Sequence, residues 1–393
     1  MKKIIFLFIV QWACSSAFSQ SVPITRQLKL ISLSGTGYER GYQHGQQLKK
    51  EIEALIGIWK KDLEHSMQMP ADSFLAHFMA STNFMLAIKK YTPEILEEVK
   101  GIAVGSGQTF NDIYAFQLVD EYWVYQDQLR NNEDHHHCSS IGVPAMNGHP
   151  AYVSQNLDVE SWMDGYQIIL QIMPNGNTPE QYILSCAGLV ALNGFNEHGI
   201  GVCVNTLMQL NASADGLPVA FMLRGILGQK KGSDALRFLQ TTKHASGQNY
   251  ILGTVDSVYN FEASSAKVMR MYPDASGMVF HTNNPVVNED IKPWYKNYFN
   301  SFLAGKTQKG NSEIRFTTLQ RRAANATSKD DSFIKTTLRS KDDPNNPVCR
   351  AHVPNKGGFT FASVIYTLSG TRTMQVTAGP PDESEYQVFS FAK

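Results

Sequence analysis

At 393 residues the chain is long enough for one large domain or two ordinary ones with a sizeable buried core. Lys plus Arg and Asp plus Glu balance at 35 each, so net charge gives no reason to expect nucleic acid or an anionic membrane surface as partner. A small molecule is the expected partner. No run approaches the roughly 20 apolar residues of a spanning helix, and no membrane span is expected.

The chain opens with the pattern of an export signal: Lys2 and Lys3, the apolar run Ile4 to Val10, and the small-x-small site Ala17-Phe18-Ser19. Residues 1–19 are therefore read as a signal peptide cleaved near Ser19-Gln20, which makes the protein secreted or periplasmic. A lipid on Cys14 is the weaker alternative, because Gln11-Trp12-Ala13 departs from the usual aliphatic-small-small pattern. Beyond the signal remain Cys138, Cys186, Cys203 and Cys349. They are too sparse for a disulfide scaffold. Cys186 and Cys203 lie in apolar, strand-like stretches and read as small buried hydrophobes.

From Gly41 to Gln128 the pattern is helical. Leu48, Ile52, Leu55, Ile56 and Trp59 recur at three and four residues, and similar runs cover Phe74 to Ile88, Ile95 to Val104 and Ile113 to Tyr125. Thr92-Pro93-Glu94 supplies a helix start, and four helices or so are expected. After Cys138 short β-rich runs take over: Ala151 to Ser154, Tyr166 to Met173, Tyr182 to Ser185 and Ile200 to Thr206. Two helical patterns follow, Pro218 to Leu227 and Ser233 to Thr242. Strands are then expected at Tyr250 to Val255, Ser257 to Glu262, Lys267 to Met271, Gly277 to His281, Thr360 to Leu368, Thr373 to Ala378 and Tyr386 to Phe391. Helices ahead of a mostly antiparallel strand set predict an α+β fold with helices layered on stacked sheets.

The segment Glu133-Asp134-His135-His136-His137-Cys138-Ser139-Ser140-Ile141-Gly142-Val143 admits three readings. A metal site is disfavoured, because adjacent histidines diverge on any regular backbone and no second spaced ligand pair is evident. A solvated loop suits the three histidines. The third reading makes Cys138 a nucleophile at the start of a strand.

Several motifs appear in order around it: Gly35-x-Gly37-x-x-Arg40-Gly41-x-x-His44-Gly45, Cys138-Ser139-Ser140, Gln155-Asn156-Leu157-Asp158, Gly194-x-Asn196-x-x-Gly199, Asn205-Thr206-Leu207 and Gly216-x-Pro218 with Arg224. Glu262, His281-Thr282-Asn283-Asn284-Pro285, Arg315 and Gly379-Pro380-Pro381 follow. From about Gly35 to Phe391 the chain resembles the acyl-coenzyme A:6-aminopenicillanic acid acyltransferase family, the autoproteolytic C45 peptidases, related in fold to choloylglycine hydrolases and penicillin V acylases. The resemblance implies a four-layer αββα sandwich of the N-terminal-nucleophile (Ntn) hydrolase kind, with stacked mainly antiparallel sheets behind a helical N-terminal segment.

It also implies that the precursor cuts itself between His137 and Cys138. A helical α-chain, 20–137, would stay associated with a catalytic β-chain, 138–393. The freed α-amino group, with a reference pKa of about 7.7 to 8.0, can take the thiol proton near neutral pH, so Cys138 would be both nucleophile and base. By the same resemblance Asp158 holds the new amino group, Asn205 and Asn283 with backbone N–H groups face the oxyanion, and Arg315 supports the nucleophile. Each has a plainer reading: a strand-end turn for Asp158, a satisfied turn for the asparagines, a helix surface for Arg315. His281, Arg40 and His44 read as structural.

Family members commonly carry Thr after the nucleophile, a small residue before it and, among bile salt hydrolases and penicillin V acylases, Arg where this chain has Gln155. Here Ser139 and His137 flank Cys138. Hydrolysis of linear, non-peptide amides is the expected activity, with no cofactor and a small-molecule amide or acyl substrate. The alternatives are an N-acyltransferase using the same acyl-cysteine and a noncatalytic binding protein on the same scaffold. Trp123, Tyr125, Trp162 and Phe195 are candidate pocket aromatics by proximity to the motifs.

Overall fold

The computed structural model describes residues 26–130, 137–146, 148–354 and 356–391. Residues 1–19, read above as a signal peptide, and the histidines at 135 and 136 lie outside them. The helical segment begins with a strand, β1 (Lys29–Leu33), and then forms α1 (Gly37–Gln47), α2 (Lys49–Met67), α3 (Ala71–Ala80), α4 (Phe84–Tyr91), α5 (Pro93–Ser106), α6 (Phe110–Phe116) and α7 (Val119–Arg130). Seven helices thus stand where about four were expected. The apolar periodicity runs on across the breaks, which are set by backbone: Gln68 and Gly107 adopt left-handed φ values of 53° and 77°, and Pro93 starts α5.

The rest of the chain forms β2 (Ser139–Val143), β3 (Tyr152–Glu160), β4 (Gln167–Ile172), β5 (Gln181–Cys186), β6 (Asn193–Asn196), β7 (Gly201–Thr206), α8 (Val219–Leu227) and α9 (Gly232–Thr241). Next come β8 (Gln248–Gly253), β9 (Val258–Ala263), β10 (Val268–Met271), β11 (Val279–His281), α10 (Pro293–Leu303), α11 (Asn311–Ala324), α12 (Asp331–Leu338), β12 (Gly358–Thr367), β13 (Thr373–Val376) and β14 (Gln387–Ser390). The expected strands are present within a few residues of their limits, except that β3 runs on to Glu160, six residues past the expected end at Ser154. Helices α10 to α12 and strands β1 and β6 are additions to the sequence reading.

Two sheets result, an eight-stranded one in the order β1-β4-β5-β6-β7-β8-β9-β10 and a six-stranded one in the order β11-β2-β3-β12-β13-β14. Every pairing between these strands is antiparallel except β1 with β4. The sheets stack through β2, β3 and β11 against β7, β8 and β9, with α8 over β6 and β7 on one outer face and α11 and α12 over β11, β3 and β12 on the other. This is the four-layer αββα arrangement. Alternation along β2 sorts its side chains: Ile141 and Val143 join Leu319, Ala323, Ile334 and Leu338 of the outer helices, whereas Gly142 faces the other sheet. A Cβ on Gly142 would lie 2.9 Å from Ile251 Cγ2, so the sheets approach too closely there for any side chain.

The helical segment is tied to the sheets by charge as well as packing. On α1, Gly37, Gly41 and Gly45 let α5 approach until a Cβ on Gly41 would sit 1.8 Å from the Glu98 carbonyl oxygen. Buried in that contact, the Glu98 carboxylate accepts from Arg40 Nε at 3.1 Å and from Arg224 of α8 at 2.5 and 3.0 Å. Burial alone would raise the Glu98 pKa, but the two guanidiniums outweigh it and hold it below the ordinary carboxylate range. A depressed folded-state pKa stabilises above the unfolded value and is lost as the pH falls through the folded one. Glu98→Gln leaves two buried cations without a counter-charge, and should cost about 3–5 kcal/mol at neutral pH. The check is a thermal melt across pH, in which the gap between native and variant narrows on acidification. Among the described residues no helix is long and apolar enough to cross a membrane.

Candidate active site

Cys138 sits immediately before β2, 6% exposed, at one end of the space between the sheets. Both polar atoms of its backbone are gripped. Its N–H donates to Asn283 Oδ1 at 2.8 Å, and its carbonyl accepts from Arg315 Nη1 at 2.5 Å. Arg315 reaches it from the first turns of α11 with its side chain wholly buried, so the helix-surface reading fails. The reason is geometric: the planar guanidinium has acceptors on three sides. Besides the Cys138 carbonyl it donates to Ser139 Oγ at 2.9 Å, to Asn283 Oδ1 at 3.0 Å and, through Nε, to Asn311 Oδ1 at 2.7 Å.

Asn283 follows β11, whose pairing with β2 brings His281 level with Ser140. Its backbone N–H donates to Ser312 Oγ at 2.8 Å and its Nδ2 to the Thr206 carbonyl at 3.2 Å. The side chain is therefore held with its oxygen toward the Cys138 nitrogen, which makes it an anchor for that nitrogen before it is anything else. His281 is buried beneath, with Nε2 2.8 Å from Glu262 Oε1 and Nδ1 2.8 Å from the Thr282 carbonyl. Glu262 also accepts from the backbone N–H groups of Val286, Val287 and Asn288. It fixes the turn after Asn283.

Asp158, near the end of β3, is 7% exposed. Its Oδ1 accepts from Thr360 Oγ1 at 2.8 Å, its Oδ2 is buried with no hydrogen-bond partner, and its backbone carbonyl lies 3.9 Å from Cys138 Sγ. Burial raises its pKa to about 7, against the opposing pull of Arg350 and Arg315. Burial likewise pushes the Cys138 thiol up to about 12, with the Asp158 carboxylate adding to the effect. In the uncut chain the thiol is protonated and needs a base.

Asn205, at the end of β7, accepts from Ser140 Oγ at 2.7 Å, while its Nδ2 is buried without a partner. A buried free donor so close to the nucleophile strand calls for an acceptor that arrives later. Gln155 donates to Ser140 Oγ at 3.1 Å and to the Val204 carbonyl, and accepts from Asn193 Nδ2 at 2.8 Å, so it bridges the two sheets. His137 is half-buried, and its Nδ1 faces Asn311 Oδ1 at 2.9 Å. The residue before the expected cut is thus latched to the same asparagine that braces Arg315. Asn311 was absent from the sequence reading; its spacing of four from Arg315 on one helix was the available signal.

A narrow cleft of about 50 Å³ reaches Cys138, Asp158 and Thr206. Its walls are mostly apolar. Of the four candidate aromatics only Trp123 lines it. Phe195 stacks on Tyr366 across the sheets with ring centroids 5.1 Å apart, and Tyr125 packs on Phe74 and Phe78. Those two rings belong to the core. The four cysteines among the described residues are free and buried, Cys186 and Cys203 inside strands, and no group of three or more His, Cys, Asp or Glu side chains is placed to hold a metal ion.

The profile of the acyl-coenzyme A:6-aminopenicillanic acid acyl-transferase family matches residues 147–383. The chain belongs to that family. The acyl-transferase match starts nine residues after Cys138, but similarity to the 40 kDa form of the acyl-coenzyme A:6-aminopenicillanic-acid-acyltransferase of Emericella nidulans, 24% identical over 366 residues, covers 92% of this chain and 96% of that one. The chain is also similar to the beta-alanyl-dopamine/carcinine hydrolase of Drosophila melanogaster, 23% identical over 56% of this chain and 59% of the other. Among solved structures it is similar to the Caenorhabditis elegans N-acylethanolamine-hydrolyzing acid amidase ortholog, at a TM-score of 0.41 and 16% identity, covering 59% of this chain and 94% of that one.

Proposed function

We propose that this member of the acyl-transferase family is an exported, self-cleaving cysteine amidase of the Ntn kind, acting on linear, non-peptide amides. The observation that carries the reading is the grip on Cys138: nitrogen on Asn283, carbonyl on Arg315, thiol at the floor of an apolar cleft. A peptide unit pinned on one side of a bond leaves that bond's carbonyl as the part able to move toward Sγ. The thiol attacks the His137 carbonyl, the C–N bond to Cys138 breaks, and the His137 acyl group passes to sulfur as a thioester while Cys138 gains a free amine. Water then releases the His137 carboxylate and returns the thiol. Asn283 Oδ1 holds the nitrogen before and after the cut.

In the mature site the α-amino group takes the thiol proton, Sγ attacks the substrate carbonyl, and the unpartnered Asn205 Nδ2 supports an oxyanion role for that side chain. The protonated amine hands its proton to the leaving nitrogen, and water resolves the acyl-cysteine. An incoming amine in place of water gives the acyltransferase reading, which the names of the matched family and of the Emericella nidulans relative favour. The two fragments would stay together through β1 on β4, Glu98 on Arg224, and Gln117, which donates to the Gly188 carbonyl and accepts from the Val190 N–H. Export rests on residues 1–19. N-terminal sequencing of the purified protein tests the reading: a fragment beginning at Cys138 is expected, and a single chain running through His137-Cys138 sinks it.

Self-cleavage should follow Asp158. With the thiol at about 12 and Asp158 at about 7, a carboxylate becomes available as base only as the pH rises through neutrality. The precursor half-life should shorten accordingly, by about 10²- to 10⁴-fold between the fully protonated and ionised forms. In Asp158→Asn that limb should vanish. A variant with an unchanged pH profile would remove Asp158 from the step.

A further inference from the structure

The first turn of α7 carries a carboxylate to which the mechanism above gives no work. Asp120 lines the cleft beside Cys138 and Thr206. Its Oδ1 accepts from Thr206 Oγ1 at 2.5 Å and from Gln248 Nε2 at 3.2 Å. Its Oδ2 has no hydrogen-bond partner among the described residues. Asp158, 93% buried, adds a second unpartnered oxygen to the same lining. Among the described residues no Lys, Arg or His lines the cleft, and apart from Gln117, Thr206, Cys138 and the two aspartates the described lining is apolar. The nearby Arg315 is turned to Cys138, Ser139, Asn283 and Asn311, and Arg350, which also acts on the Asp158 carboxyl, is not part of the lining.

An apolar slot whose described ionisable side chains besides the thiol are both carboxyls discriminates by sign once they are ionised. In a poorly screened environment an ammonium gains both Coulomb attraction and a charge-assisted hydrogen bond to a free carboxylate oxygen. A carboxylate in the same place loses its hydration with nothing to replace it, and is repelled by each of the two carboxyls that is ionised.

We infer that the cleft selects substrates carrying a protonated amine at the end of a short apolar arm, with Asp120 as the specificity-determining residue that receives it, and turns away arms that end in a carboxylate. The inference rests on the amidase reading for its chemistry, since it names the substrate class of that site.

The test is binding, which needs no turnover. Purified processed protein is titrated with 3-phenylpropylamine, 3-phenylpropan-1-ol and 3-phenylpropanoic acid in a calorimeter. The amine is expected to bind at least about tenfold more tightly than the alcohol, the increment of one charge-assisted hydrogen bond, and the acid more weakly than both. Asp120→Asn should erase the gap between amine and alcohol while leaving the alcohol's affinity as it was. An amine no tighter than the alcohol, including no binding of either, overturns the inference, as does a gap that survives in Asp120→Asn. Should that variant fail to fold, the native ligand series decides alone. Matched anilides with acyl arms ending in an ammonium or a methyl group separate the two readings. Protein that binds the amine selectively but cleaves no anilide loses the amidase reading alone, and protein that cleaves both equally loses the inference alone.

Discussion

Cys138→Ala is expected to give one full-length chain where the native protein gives two fragments, and to drop amide cleavage to the uncatalysed background. Both losses have one cause. In the proposed mechanism the thiol is the attacking group in the cut and in turnover, and alanine offers neither an electron pair nor a route to a free amine at that position. Since Cys138 is buried beside apolar side chains and alanine is smaller, the variant should fold. Cys138→Ser sharpens the test, because a serine hydroxyl can sustain a slow cut. Intact mass of the three proteins, followed over days, checks it. A Cys138→Ala chain that still splits at His137-Cys138 would transfer the chemistry to another residue.

The second large effect belongs to Arg315. Arg315→Met keeps the length of the arm and removes four donated hydrogen bonds, stranding the Cys138 carbonyl and loosening Asn283. Hydrogen bonds involving a charged group contribute about 1.5–3 kcal/mol each, and a misplacement of about 1 Å at a reacting atom costs about 10²-fold. Both self-cleavage and mature kcat/KM should fall by about 10²- to 10⁴-fold. Arg315→Lys should rescue little, because an ammonium cannot meet acceptors on three sides at once. His137→Ala separates the two roles of the clamp. Loss of its contact with Asn311 should slow the cut by roughly tenfold, yet His137 leaves the reacting centre once the bond is broken, so mature kcat/KM should not change. Gel densitometry of precursor against time and steady-state kinetics on the processed fraction give the two numbers.

Motifs kept in order on both sides of Cys138 are what pointed to it, and the strands were legible as short apolar runs between turn signals, most of them buried along their whole length. What stayed hidden depends on contacts between distant parts of the chain. Lys29–Leu33 is a short run with two buried residues, and it becomes β1 only by pairing in parallel with β4, some 140 residues away. Arg315 sits among residues that suit any exposed helix, and its burial follows from acceptors supplied by Cys138 and Asn283. Phe195 was taken for a pocket ring by its place in a motif, but a Gly-flanked aromatic on a central strand was bound for the space between the sheets. Asp120 passed as an ordinary acidic residue in the first turn of a helix. Its place beside the cleft follows from hydrogen bonds to Thr206 and Gln248, distant in the chain.

The parallel pairing of β1 with β4 and the Glu98–Arg224 contact have one more consequence. While the chain is whole they form by closing a loop, whose entropy grows only with the logarithm of its length. After the cut proposed above the same contacts would join two molecules, and the local concentration that a tether supplies, of millimolar order, would be replaced by whatever the surroundings provide. An unfolded precursor could return to its structure at any dilution. An unfolded mature enzyme would first have to find its other half, so under the proposed export each molecule would be assembled once.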